Sequence, residues 1–187
     1  MRKAVLSRKS GLFAFLALML VAMQSQADMV RVAVAANFTD ATRAIAPLFE
    51  KATGHTVRIS YGSTGKLYAQ IENGAPYDVF MAADTERPAK TIQTGLAVPE
   101  SQFVYARGRL VLWSATSDLF SDGIAFIQSG DFRRVAIANP KTAPYGLAAQ
   151  QVMEQLNIWD NIQNKLVRGD SIAQTFQFVA TSNAESG

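Results

Sequence analysis

Short Val-rich runs alternate along this chain with stretches of helical periodicity, and that alternation constrains the fold more than any other feature. Met29–Ala36 (MVRVAVAA) is apolar enough to be a buried strand. Thr39–Thr53 comes next, with Ala41, Ile45, Leu48, Phe49 and Ala52 at helical spacing and Gly54 where a left-handed C-cap is expected. Pro47 interrupts the pattern; an interior proline costs a helix about 3 kcal/mol, so a kink or a late start is predicted. Thr56–Tyr61 alternates and is β-branched, which predicts a strand. Gly62-Ser63-Thr64-Gly65 and a helix over Lys66–Glu72 come after it, ended by Asn73-Gly74-Ala75-Pro76. Asp78–Ala82 reads as a third strand. Asp84 or Thr85 caps a helix to Thr94, and Gly95 ends it. The order β-α-β-α-β-α predicts an α/β fold, a parallel sheet covered by helices.

The second half repeats this architecture without repeating the sequence. Leu110–Trp113 reads as a buried strand, Gly123–Ser129 as a short helix and Arg134–Ala138 as a strand. Tyr145–Leu156 is a helix with Ala148, Ala149, Val152, Met153 and Leu156 inward. Ile162–Val167 reads as a strand, and Ser171–Ala180 as a helix capped by Asp170 or Ser171. Two lobes are predicted, residues 28–108 and 109–187, with the chain crossing between Phe103 and Ser117. Ala180–Gly187 reads as the turn after a helix, where such a sheet takes another strand. The fold is therefore expected to lack its last segments, leaving both lobes truncated.

Charge depends on the first 27 residues. Arg2, Lys3, Arg8 and Lys9 precede the apolar run Gly11–Met23, and Ser25 and Ala27 are small residues at the −3 and −1 positions of a cleavage site. Residues 1–27 read as a cleavable secretory signal peptide, too short in its apolar part to span a bilayer. Four of the 18 basic residues and none of the 15 acidic ones lie there. Residues 28–187 therefore carry one net negative charge and no Lys/Arg-rich run, so nucleic-acid binding is not expected. The chain has no Cys and one His. His55 would have to be the base of any Ser–His triad, and no G-x-S-x-G appears. Asp78 and Asp84 read as turn and cap residues rather than as acid–base groups, and metal-ligand spacing is absent. Little in the sequence points to an enzyme.

Ligands of open α/β sheets bind beyond the carboxyl ends of the strands. Four segments take that position: Ala36-Asn37-Phe38-Thr39, Gly62-Ser63-Thr64-Gly65, Ala143-Pro144-Tyr145-Gly146 and Asp170-Ser171-Ile172. Free N–H groups at helix N-termini attract anions. Asn37, Ser63 and Thr64 add neutral donors, and Lys66 lies one turn on. Such a set suits a compact, fully ionised oxyanion. Taken singly, each segment is equally a turn or a cap. The Gly62–Lys66 spacing also fails the nucleotide phosphate-loop pattern, which needs four residues between its glycines.

The stretch Val32–Asp84, containing GSTGKLYAQI and ENGAPYDVF, resembles the periplasmic molybdate-binding proteins of bacterial ABC transporters. So do YARGRLVLW (Tyr105–Trp113) and AIANPKTAPYGLAAQQVME (Ala136–Glu154). The resemblance implies a two-lobed type-2 periplasmic binding protein that captures molybdate or tungstate between its lobes, closes on a hinge near Arg107–Ser114 and delivers its cargo to an ABC permease. It implies ligand contacts at Asn37 with Ala36 before it, at Ser63 or Thr64, at Tyr145 through its backbone N–H, and at Ile172 through its backbone N–H. The metal would be met only through the oxyanion's oxygens, with no cofactor and no direct ligation. A monomeric, periplasmic, non-enzymatic protein is implied. Asn37 stands where many relatives have Ser, and Tyr145 where some have Ala. A Tyr hydroxyl that some relatives supply from the strand after Asn183-Ala184-Glu185 is expected to be missing from this ligand set. The alternatives are a binder of sulfate, phosphate or a small organic anion, a non-functional truncated product, and an exported hydrolase using His55 or Asp84.

Overall fold

The computed structural model describes residues 28–187; the signal-peptide reading falls on residues outside that range. Strand β1 (Met29–Ala35) is the centre of a three-stranded parallel sheet of order β2–β1–β3, with β2 at Thr56–Gly62 and β3 at Val79–Met81. Its register with β2 runs from Met29 opposite Thr56 to Ala35 opposite Gly62. A central parallel strand is covered on both faces, so Val32, Ala33, Val34 and Ala35 are all buried. Helices α1 (Thr39–Thr53), α2 (Thr64–Glu72) and α3 (Glu86–Gln93) belong to this first half. A 3-10 turn, Ala36–Phe38, leads from β1 into α1.

The second sheet pairs β4 (Val135–Ala138) with β5 (Leu166–Gly169) in parallel, Val135 opposite Leu166 and Ala138 opposite Gly169. Its helices are α4 (Gly123–Ser129), α5 (Pro144–Gln155) and α6 (Ile172–Ala180). On the free side of β4, Ser186 bridges in parallel to Val135, and Trp113 and Gly187 exchange backbone hydrogen bonds of 2.9 Å in each direction. The core on this side gathers Ile127, Phe132, Val135, Ile137, Ala149, Met153, Ile158 and Ile162. Each large apolar side chain among them contributes about 1.5–3 kcal/mol on full burial.

Several expectations need correction. Helix α1 starts at Thr39 and runs through Pro47, with no late start. Pro47 is exposed, so the carbonyl that its missing N–H leaves free can meet water. The face of α1 expected to point inward is open: Ile45 is 50% and Leu48 67% exposed. On α5, Val152 is likewise exposed. Leu110–Trp113 is not a buried strand. Among the described residues, the Trp113–Gly187 pair supplies the backbone ladder bonds of the stretch 102–114, and Val111 is 72% exposed. A strand exists through its ladder, and most of this stretch faces no partner. Ile162–Val167 divides into a 3-10 turn over Asp160–Lys165 and a strand that begins at Leu166, where pairing with β4 becomes possible.

Candidate anion-binding cleft

The four strand-to-helix segments picked out in the sequence meet along one seam between the two sheets. The 3-10 turn after β1 packs against α6. The Gly65 N–H, in the first turn of α2, donates to the Thr142 carbonyl at 2.8 Å, just ahead of α5. The Lys66 ammonium meets the Asp170 carboxylate at 2.7 Å, just ahead of α6. One edge of each sheet therefore faces the other, and both edges are carboxyl ends.

At α2 the sequence left Ser63 and Thr64 as alternatives, and their environments differ. Ser63 is the N-cap residue, 4% exposed, yet its hydroxyl makes no capping bond and has no partner. Thr64 is fully buried, and its hydroxyl accepts the Ala83 N–H at 3.0 Å, tying α2 to the end of β3. Ser63 thus offers a free buried donor at the seam, and Thr64 anchors the helix that carries it. The first-turn N–H groups of α2 that lack intrahelical partners add to the donor set.

The opposite wall is built from α5 and α6. Pro144 occupies the first turn of α5, where its missing N–H is not needed and its ring meets no preceding helical turn. Tyr145 comes directly after it, and its N–H has no carbonyl four residues back within the helix. The Tyr145 ring packs on Gly108, where an added Cβ would collide with the phenol oxygen. The side chain is thus engaged with the crossing segment, and the backbone N–H is what this residue can offer to a ligand. Ser171 caps α6 by accepting the Gln174 N–H, which leaves the Ile172 N–H as a first-turn orphan. Asn37 lies exposed in the 3-10 turn, and the Ala36 carbonyl accepts the Thr39 hydroxyl at 2.8 Å.

The Lys66 charge at the seam is offset by its pairing with Asp170. Behind Asn37, Phe38 meets Tyr105 edge-on at 5.0 Å between ring centroids, and the Tyr105 hydroxyl donates to the Ala82 carbonyl at 2.8 Å. Burial, with a smaller contribution from Tyr145, pushes the Tyr105 phenol above its usual range, so it stays a protonated donor near neutrality. A cavity of about 1160 Å³ opens beside the seam, with Asn37, Tyr105, Gly108 and Tyr145 among its lining residues. It far exceeds a tetrahedral oxyanion, and Ser63, Thr64 and Ile172 lie outside its lining.

The carboxylates and histidine considered for catalysis do other work. Asp78 accepts the Arg31 N–H at 2.7 Å at the sheet edge. Asp84 accepts the Arg87 N–H at 2.9 Å and pairs with that residue's guanidinium. The His55 Nδ1 accepts the Asp28 N–H, and its ring stacks on Phe49. Among the described residues no three His, Cys, Asp or Glu side chains cluster to hold a metal, and no helix is long and apolar enough to cross a membrane. Sequence reasoning missed Thr142, Gly108 and the role of Gly65. Only Gly65 left a signal, a glycine in the first turn of a helix that gains nothing from it locally.

Two α/β lobes whose strand ends and helix N-termini face one another across a seam define a solute-binding architecture. Comparison with known proteins gives the family. The model of the bacterial extracellular solute-binding proteins matches residues 30–187, and the chain belongs to that family. The molybdate-binding protein ModA of Azotobacter vinelandii is 52% identical over 168 residues, covering 90% of this chain and 67% of the relative. ModA of Rhodobacter capsulatus is 46% identical over 179 residues, covering 96% and 71%. The solved periplasmic molybdate-binding protein of Azotobacter vinelandii superposes with a TM-score of 0.80 at 43% identity, covering 84% of this chain and 69% of that one. The family is one of binding components and not of enzymes.

Proposed function

We propose that this protein captures molybdate or tungstate in the periplasm and delivers it to an ABC permease. The observation that carries the reading is the buried, unpartnered Ser63 hydroxyl at a helix N-terminus, facing a second lobe that presents two more such termini. The likeness to molybdate-binding relatives supports the choice of oxyanion. Ligand oxygens are held by the Ser63 hydroxyl, the Asn37 amide, and the backbone N–H groups of Thr64, Tyr145 and Ile172, with Ala36 shaping the first turn. The metal is reached only through those oxygens. Hydrogen bonds to a charged group are worth about 1.5–3 kcal/mol each, so a few converging donors suffice for tight binding without a counter-ion.

Residues 28–108 form the first lobe and 109–187 the second, hinged near Arg107–Ser114. The protein acts as a monomer, and its closed form is what the permease receives. Binding makes and breaks no covalent bond. Molybdate and sulfate share charge and shape, so selectivity rests on the distance between the two walls.

A thermal melt with molybdate, tungstate and sulfate tests the reading. At a hundredfold excess over its dissociation constant a ligand adds about 2.7 kcal/mol, which moves the midpoint by several degrees. Molybdate and tungstate are expected to raise the midpoint and sulfate to leave it in place. A shift with sulfate alone, or with none of the three, overturns the proposal.

A further inference from the structure

The seam is closed at one point by main chain alone. The Gly65 N–H donates to the Thr142 carbonyl at 2.8 Å, from the first turn of α2 to the turn that precedes α5. A Cβ added at Gly65 would lie 2.8 Å from that oxygen and 3.1 Å from the Thr142 Cα. Both neighbours are backbone atoms, so neither can swing aside. Gly65 is not among the residues with positive φ, so its own conformation makes no demand for glycine. In a helix glycine is about 1 kcal/mol worse than alanine. Local structure therefore disfavours glycine at this position, and the approach of the other lobe requires it.

We infer that the Gly65–Thr142 bond sets the closed spacing of the two lobes, which makes Gly65 a positioning residue for ligand capture. The inference rests on the oxyanion reading above only for the identity of the probe. The flanking Lys66–Asp170 pair is half-exposed on both sides and contributes little to closure. The main-chain bond is short, backed by rigid elements, and lies two residues from the unpartnered Ser63 hydroxyl. A side chain at position 65 would hold the walls apart by a few tenths of an ångström or more, and donors on opposite walls could no longer reach one small anion together.

The test compares wild type, Gly65→Ala and a control, Ala69→Gly, an exposed position further along α2. Molybdate affinity and dissociation rate are measured by calorimetry and stopped flow, and the melting of the ligand-free protein is recorded. Because the chain has no Cys, spin labels placed at Lys51→Cys and Gln155→Cys report the distance between the lobes. For Gly65→Ala the expected result is affinity weakened tenfold or more, mostly through faster dissociation. An open-lobe fraction should persist at saturating molybdate, and the ligand-free midpoint should be unchanged or higher. Ala69→Gly is expected to lower the midpoint and leave affinity alone. Affinity within twofold of wild type together with full closure overturns the inference. If wild type binds no molybdate, the oxyanion reading fails and the ligand-free distances decide. A closed population lost in Gly65→Ala upholds the clasp, whereas identical distributions, or no closed population in wild type, overturn it.

Discussion

Replacing Ser63 by alanine is expected to weaken ligand binding without weakening the fold. An N-cap Ser→Ala substitution ordinarily costs about 1 kcal/mol, because the hydroxyl accepts a first-turn N–H. At Ser63 that bond is absent: the side chain makes no cap, is buried, and has no partner. The ordinary loss therefore has no source. Relief of a buried unsatisfied hydroxyl instead contributes up to about 1–3 kcal/mol in the closed form, less where the open cleft lets water in. The ligand-free protein is expected to be as stable as wild type or more so, by up to about 2 kcal/mol. Binding moves the other way. A lost hydrogen bond to a charged oxyanion is worth about 1.5–3 kcal/mol, roughly a 10- to 150-fold weaker dissociation constant. Urea unfolding of the ligand-free protein and calorimetric titration with molybdate measure the two quantities separately. A variant that loses about 1 kcal/mol of stability and keeps its affinity would refute the reasoning, because Ser63 would then be an ordinary helix cap.

Thr64→Val keeps the shape but removes the acceptor of the Ala83 N–H, so it is expected to cost about 1–3 kcal/mol of stability in urea unfolding. Gly108→Ala drives a Cβ into the Tyr145 hydroxyl, the far end of a side chain that can swing aside, so it is expected to leave the Tyr145 backbone N–H in place and molybdate affinity nearly unchanged, read by calorimetry. Glu185 is desolvated, which raises its pKa. The Arg134 and Arg133 N–H groups and the Arg133 guanidinium outweigh that effect and hold it below the usual carboxylate range. Its contribution is thus present above the unfolded carboxylate pKa of about 4.3 and is lost as pH falls through the lower folded value. Glu185→Gln is expected to flatten the acid limb of a stability–pH profile, and an unchanged limb would sink that assignment. Lys66→Ala is expected to change molybdate affinity by less than about threefold at physiological salt, because its ion pair with Asp170 is solvent-exposed.

Alternating patterns determined much of this protein without tertiary information. The strands at Met29 and Thr56, the centre of the strand expected over Asp78–Ala82 (observed at Val79–Met81), the helix over Thr39–Thr53, the cap at Gly54 and the helix over Gly123–Ser129 were readable because local periodicity and turn chemistry are properties of neighbouring residues. The four candidate segments were readable for the same reason, since each marks a strand-to-helix turn. Tertiary structure decided what depends on distant partners. Val111 is as apolar as Val34, but Val34 lies between two strands and is fully buried, while Val111 has no ladder partner and is exposed. Ser63 and Thr64 are equivalent donors in sequence, and only the packing of Ala83 against Thr64 separates them. The demand for glycine at position 65 comes from Thr142, 77 residues away in the chain and one hydrogen bond away in space. Local pattern fixes which backbone a segment prefers, whereas burial, hydrogen-bond satisfaction and steric exclusion are set by whatever the fold brings against it.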